Sequence, residues 1–158
     1  MSEEQPVAAS ARPANLLLRV LALVYDLMPV FALWMVVSLL VYALHGARPV
    51  ESGSLGGWLE LLLIVAVTGL YAVESWRRGG QTLGMRAWRL RVVDATGRTA
   101  SRRALWLRFG VSVVSLAAVG LGFLWSLIDR ERRTWHDIAS ATLMVRLPAP
   151  PKRRAAGK

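Results

Sequence analysis

Three ionisable side chains stand where an apolar segment has no use for charge. Arg19 and Asp26 lie inside the run Leu16 to Leu44, and Glu74 lies near the end of the run Trp58 to Trp76. A charged group inside a membrane costs several kcal/mol by most estimates and persists when it is paired or functional. Arg19 and Asp26 are seven residues apart, so on a helix they project from one face about 10.5 Å apart along the axis. That is too far for a salt bridge, and each needs its own partner. Arg19 sits close enough to the end of the run to snorkel to lipid phosphate. Asp26 sits deeper and must be protonated, paired with an arginine or turned toward water. Antiparallel packing of the two runs brings Glu74 toward the Arg19 end. A carboxylate so placed can exchange a proton or bind a cation, which is transport chemistry. The same groups could instead fix helix register and hold the basic centre of the chain against the bundle, or dock a partner. Spacing alone leaves these readings open.

Other chemistry is excluded more readily. The chain has no cysteine, which removes disulfides, thiolate metal sites, iron–sulfur clusters and thiol catalysis. His136-Asp137 suggests a metal ligand or relay, but the only other histidine, His45, falls in a distant loop, so neither a metal site nor a Ser/His/Asp arrangement is assigned. Gly79 to Gly84 has the glycine spacing of a phosphate loop, yet Met85-Arg86 stand where Lys-Ser/Thr is required. The residues Gly80, Gln81, Thr82 and Gly84 read better as a tight turn leaving the second run. No catalytic set, cofactor or metal is expected, and the chain is read as a non-enzyme.

The elements that must position these groups follow from composition. Of 158 residues 54% are hydrophobic and only 19% are charged, while the net charge is +10. The chain therefore seeks a polyanion, and the apolar runs favour an anionic membrane face over nucleic acid. Residues 1–13 read as a disordered lead. Residues 14–147 read as one membrane domain with spans at about 16–44, 58–76 and 105–128, and 148–158 as a disordered basic tail. Either Pro13 or Asn15 starts the first helix, and Pro29 kinks it or frees a carbonyl. Trp58 and Trp76 mark the limits of the second span as interfacial anchors. Nine arginines crowd Arg77 to Arg108; among them Arg77, Arg78, Arg86 and Arg89, beside Trp88, read as contacts to lipid headgroups rather than nucleic acid.

Arginine placement also bears on topology, because basic residues in short loops stay in the cytoplasm. Phe109 to Ile128 carries no charge, so it is long enough to cross as a straight helix. If it folds back near Gly120 and Gly122 as a hairpin of two short halves, 19 of the 20 basic residues share one side, and charge favours that arrangement. Leu90 to Asp94 and Thr142 to Leu147 read as short strands that pair with each other, with Val92 near Val145. The fold class is thus an all-α membrane protein with two transmembrane helices, a third hydrophobic helix or re-entrant hairpin, and a small cytoplasmic β-pair.

Arg19 with Asp26, Gly80-Gln-Thr-Leu-Gly84, Leu90 to Gly97, Arg108 before the third run, and Thr134-Trp-His-Asp137 through Thr142 resemble, in that order, the RDD family of small bacterial membrane proteins. The family's arginine and two aspartates match Arg19, Asp26 and Asp137; Met85 departs from the pattern, standing where many members carry lysine. The resemblance implies a multi-pass protein of the bacterial inner membrane with a cytoplasmic N-terminus. It adds Asp137 to an intramembrane cluster with Arg19, Asp26 and Glu74, and indicates that the region after the third run returns to the first helix. The family includes members described as sodium/proton antiporters, so a transporter-like or transport-accessory role is implied, with a non-transporting structural or assembly factor as the rival. One chain of this size encloses no obvious pathway, so transport would call for a homo-oligomer. Asp137, among Arg130, Arg132 and Arg133 in a hydrophilic stretch, is expected to be a solvated arginine-binding anchor, and Asp26 the exchanging group.

Overall fold

The structure, a computed structural model, describes residues 12–148. A two-residue strand β1 (Arg12–Pro13) leads into α1 (Leu16–Leu44), followed by α2 (Leu55–Gly79), the short α3 (Leu83–Ala87) and β2 (Leu90–Asp94). Then come α4 (Arg102–Ala117), α5 (Leu121–Leu124) running into a 3-10 turn (Trp125–Leu127), α6 (Trp135–Ala139) and β3 (Thr142–Arg146). Local sequence dictates where the helices begin. Asn15, Ser54, Thr82, Ser101 and Thr134 each accept a backbone N–H of the first turn that follows, satisfying a donor the helix itself cannot. Asn15, not Pro13, starts α1, and the helix continues through Pro29. Arg12 and Pro13 form a strand within the segment expected to be a disordered lead; residues 1–11 of that lead and all but the first residue of the expected tail lie outside the described residues.

The helix α1 has 29 residues and α2 has 25, each long and apolar enough to cross a membrane. Their outward side chains are not those of a water-facing surface: Met28, Phe31, Leu39, Leu55, Leu62 and many like them are exposed. Apolar surface of this extent is covered by lipid or it does not persist. The third element is not straight. Helix α4 and the segment Leu121–Leu127 meet at 108°. Val119 and Gly120 both take left-handed backbone conformations there, with φ of 56° and 76°, and glycine reaches that region at no steric cost. The expected fold-back is present but its arms are unequal, 16 residues before the turn and only a short helix with one 3-10 turn after it.

The sheet explains where that element goes. Its strand order is β1-β3-β2, all antiparallel, so the expected pair is a three-stranded sheet with β3 in the middle. The register sets Val92 opposite Met144 and Arg91 opposite Val145, one residue from the expected pairing of Val92 with Val145. Strand β1 precedes both long helices, β2 follows them, and β3 follows the bent element. One sheet joins all three, so the bent element enters and leaves on the same side as the two long helices' outer ends.

The packed core lies at this sheet end, where Ala14, Ala22, Val73, Met85, Leu90, Val92 and Leu105 bury against one another. Away from it the helices touch along small residues. A Cβ at Gly69 would come within 2.8 Å of the Trp106 and Phe109 rings of α4, so glycine is what lets α2 and α4 approach.

Candidate functional site

The four residues expected to cluster fall into three separate constellations. In the first, Asp137 is sandwiched between two arginines: Arg19 Nη1 donates to Oδ2 at 2.5 Å and Arg108 Nη1 to Oδ1 at 2.5 Å. All three side chains are essentially inaccessible. The remaining donors of Arg19 are also occupied, Nε by the Ala14 carbonyl at 3.1 Å and Nη2 by the Arg132 carbonyl at 3.2 Å. Arg108 additionally donates to Thr142 Oγ1 at 2.7 Å and lies over the Trp76 ring, 5.5 Å from its centroid. Asp137 itself closes a capping box with Thr134, which turns its carboxylate inward at the first turn of α6.

This arrangement corrects two expectations. Arg19 does not snorkel to phosphate, because a buried carboxylate and two carbonyls hold it. Asp137 is not solvated beside Arg130, Arg132 and Arg133; the box points it away from them into the protein. Burial alone would raise its pKa, but Arg108 and Arg19 together outweigh that and hold the carboxyl well below the ordinary aspartate range. Beside it, His136 is pushed down to about 3, chiefly by burial and then by the charge of Arg108, so it stands as a neutral imidazole against the Phe123 ring. Trp76 is likewise no interfacial anchor: it covers Arg108, and its Nε1 donates to Met85 Sδ.

The second constellation is built around Asp26. Among the described residues no arginine binds it. Instead Tyr71 Oη donates to Oδ1 at 2.8 Å, the Gly84 N–H to Oδ1 at 2.9 Å, and Thr82 Oγ1 to Oδ2. The turn after α2 exists to deliver these donors. Gly80, left-handed at φ 71°, ends α2; Gln81 Nε2 donates to the Leu90 carbonyl at 2.6 Å and fixes the turn to β2; Thr82 caps α3. Gly84 then packs so closely on α1 that a Cβ would overlap the Ala22 carbonyl, with Asp26 Cγ at 2.9 Å. The motif read as a turn is therefore a carboxylate cradle.

Glu74 forms the third constellation, apart from the other two. It holds Arg77 at 2.9 Å, Arg78 at 3.6 Å and Arg102 at 3.0 Å near the surface. Its own helix supplies cations three and four residues on, nearer than any group on α1. Two of the arginines expected at headgroups, Arg77 and Arg78, are thus exposed but engaged with Glu74; Arg86 is exposed and Arg89 half-buried.

The first two constellations meet at a cavity of about 100 Å³ whose walls include Arg19, Asp26, Thr82, Arg108 and His136. Arg108 Nη2 and His136 Nδ1, both buried, make no hydrogen bond among the described residues. The rest of its wall is mostly apolar, with Leu23, Met85, Leu116 and Phe123 among the lining residues. On its other side Asp26 also borders a larger, apolar cavity of about 270 Å³ between α1, α2 and α4, reaching Trp34, Thr68 and Leu116. Sequence reasoning passed over Arg108 and Tyr71 as site residues. Arg108 had a signal, since it is the one charge inside Ala104 to Ile128; Tyr71 had none beyond standing one helical turn before Glu74.

Two long apolar helices, a bent third element and a buried arginine–aspartate–arginine clamp at one end define a small helical membrane protein. The RDD family model matches residues 13–141, most of the chain, and the protein belongs to that family. No curated protein and no solved structure matched it.

Proposed function

We propose that the protein is a transporter-like or transport-accessory protein of the bacterial inner membrane, N-terminus inside, in which Asp26 is the exchanging group. One observation carries this reading. Asp26 is a carboxylate held by three uncharged donors, and it lines two adjoining cavities within the helix bundle, the smaller of which it shares with Arg19 and Arg108. A carboxylate bound by arginine is fixed in its charged state, whereas one bound by hydroxyls and an amide can take up a proton or a small cation without leaving an arginine unpaired. The clamp supports a division of labour. Two arginines hold the Asp137 carboxylate in its charged state, which leaves Asp26, the carboxylate on the wall of the cavity those arginines line, free of arginine among the described residues. A homo-oligomer in a bilayer with anionic headgroups would complete a path that one chain is too small to enclose.

A second reading has its own observation: every polar group of Arg19 and Asp137 is satisfied within the protein, as a purely structural tie requires. In that case the chain is a membrane assembly factor. The discriminating experiment is cation and proton flux in proteoliposomes at two pH values for the native protein and Asp26→Asn. Loss of flux with unchanged folded yield supports exchange. Absence of flux for both proteins under an imposed gradient of each cation tested, or parallel loss of flux and yield, supports the structural role.

A further inference from the structure

Six of the described arginines hold carboxylates. Arg19 and Arg108 share Asp137; Arg77, Arg78 and Arg102 share Glu74; Arg133 holds Asp129 and Glu131. Of the ten arginines that make no ion pair among the described residues, four, Arg12, Arg130, Arg132 and Arg146, converge on one cavity of about 360 Å³. The only acid in its wall, Glu131, is held by Arg133 at 3.1 Å. Arg12 and Arg146 face each other directly across β1 and β3. Like charges opposite one another in antiparallel strands are destabilising unless something of opposite sign lies between them.

The loop bearing Arg130 and Arg132 is fixed in place. The Asp129 carboxylate accepts the N–H groups of Glu131 at 3.2 Å and Arg133 at 2.9 Å, and its carbonyl accepts the Arg132 N–H at 2.9 Å. Arg132 is left-handed at φ 56°, a conformation that strains any residue with a Cβ, and its carbonyl is tied to Arg19. The cavity also touches Asn15 and Leu18 at the first turn of α1, while exposed Leu127 and Ile128 directly precede the loop. The site therefore sits at the level where the apolar belt of the molecule gives way to its basic end.

We infer that this four-arginine cavity binds a phosphate group, and that in the membrane the phosphate is the headgroup of an anionic phospholipid. Guanidinium forks match phosphate oxygens in pairs, and a shared anion converts the Arg12–Arg146 repulsion into attraction. An aqueous phosphate has the same recognition chemistry, so the experiment separates the two sources.

The full chain, purified in a neutral detergent, is titrated with phosphatidylglycerol, phosphatidylcholine and inorganic phosphate, with thermal melting and native mass spectrometry as readouts. Phosphatidylglycerol is expected to raise the melting temperature and remain bound, and Arg12→Gln/Arg146→Gln to weaken that binding about tenfold or more, at roughly 1 kcal/mol per arginine. The same double variant without lipid is expected to melt no lower than the native protein, because it loses a repulsion. Arg98→Gln/Arg103→Gln removes equal charge from exposed positions elsewhere and should keep native affinity. If the double variant folds poorly, Arg130→Gln on the loop gives the same test. Equal loss in the Arg98/Arg103 control, or equal retention of phosphatidylcholine, overturns the site. Inorganic phosphate matching phosphatidylglycerol at equal concentration, with the same loss in the variants, upholds a phosphate site and overturns its lipid source.

Discussion

Arg19 and Asp137 are 118 residues apart in the chain and 2.5 Å apart in the structure, and Arg108 closes on the same carboxylate from the opposite side. The contact joins the first turns of α1 to α6 and α4, so it locks the return of the bent element against the first helix. Removing one member strands the others in a dry interior.

Asp137→Asn is accordingly expected to cost about 3–5 kcal/mol, the usual penalty for leaving a buried charge uncompensated. Folded yield and thermal unfolding in detergent measure it. Replacing all three members at once, as Arg19→Met/Arg108→Met/Asp137→Leu, should cost less than the single change. A triple variant less stable than Asp137→Asn contradicts this account.

The clamp also dictates how stability varies with acidity. His136 has a folded pKa near 3 against an ordinary 6.5, so the unfolded chain binds its proton first. Its contribution is complete above about pH 6.5 and falls by about 1.4 kcal/mol per pH unit as pH drops toward the folded value. Asp137, held below the ordinary aspartate range, adds a further loss below about pH 4. Melting temperature should therefore decline between pH 6.5 and 4.5, and His136→Gln should flatten that part of the profile. An unchanged slope in the variant would show that another group is responsible.

Gly84→Ala places a methyl group on the Ala22 carbonyl, a backbone atom with no room to give. The expected cost is about 1–3 kcal/mol as α3 is pushed off α1. Because the Gly84 N–H and Thr82 Oγ1 both serve Asp26, flux and its pH dependence should change along with stability; Leu83→Ala, at an exposed neighbouring position, should alter neither.

The sheet register is testable in a chain with no native cysteine. Val92→Cys/Met144→Cys should cross-link on mild oxidation, since directly opposed antiparallel residues fall within disulfide reach. Val92→Cys/Val145→Cys should link far less readily, because adjacent residues of β3 point to opposite faces.

If the proposed orientation holds, reporters fused at Gly53 and Lys158 are expected to report opposite sides, with the one at Lys158 inside. Reporter fusions at both positions decide it, and a periplasmic reporter at Lys158 would reverse the proposed orientation.

The long helices were legible because apolar runs of their length have one physical use, and the turn after α2 because glycine marks it. The hairpin was legible from the imbalance of arginines, and its asymmetry was not, since two left-handed residues at 119 and 120 decide where the bend falls. Partners were the hardest part. Glu74 was read toward a neighbouring helix when its own i+3 and i+4 residues were closer. Asp137 was read as solvated from its basic neighbours, and only the capping box reveals which way it points. Strand β1, two residues long, carries no pattern to read; its pairing is dictated by β3.

The strand order β1-β3-β2 carries a consequence for biogenesis. The middle strand is the last of the three to be synthesised, so neither Arg12–Pro13 nor Leu90–Asp94 has its hydrogen-bonding neighbour until residues 142–146 have emerged. Asp137 arrives just before them, so the two arginines of the clamp also wait. Helices α1 and α2 can enter the bilayer as they are made, but the basic end that anchors them closes in a single late step, and a chain interrupted before that step would expose unpaired strand edges to its neighbours.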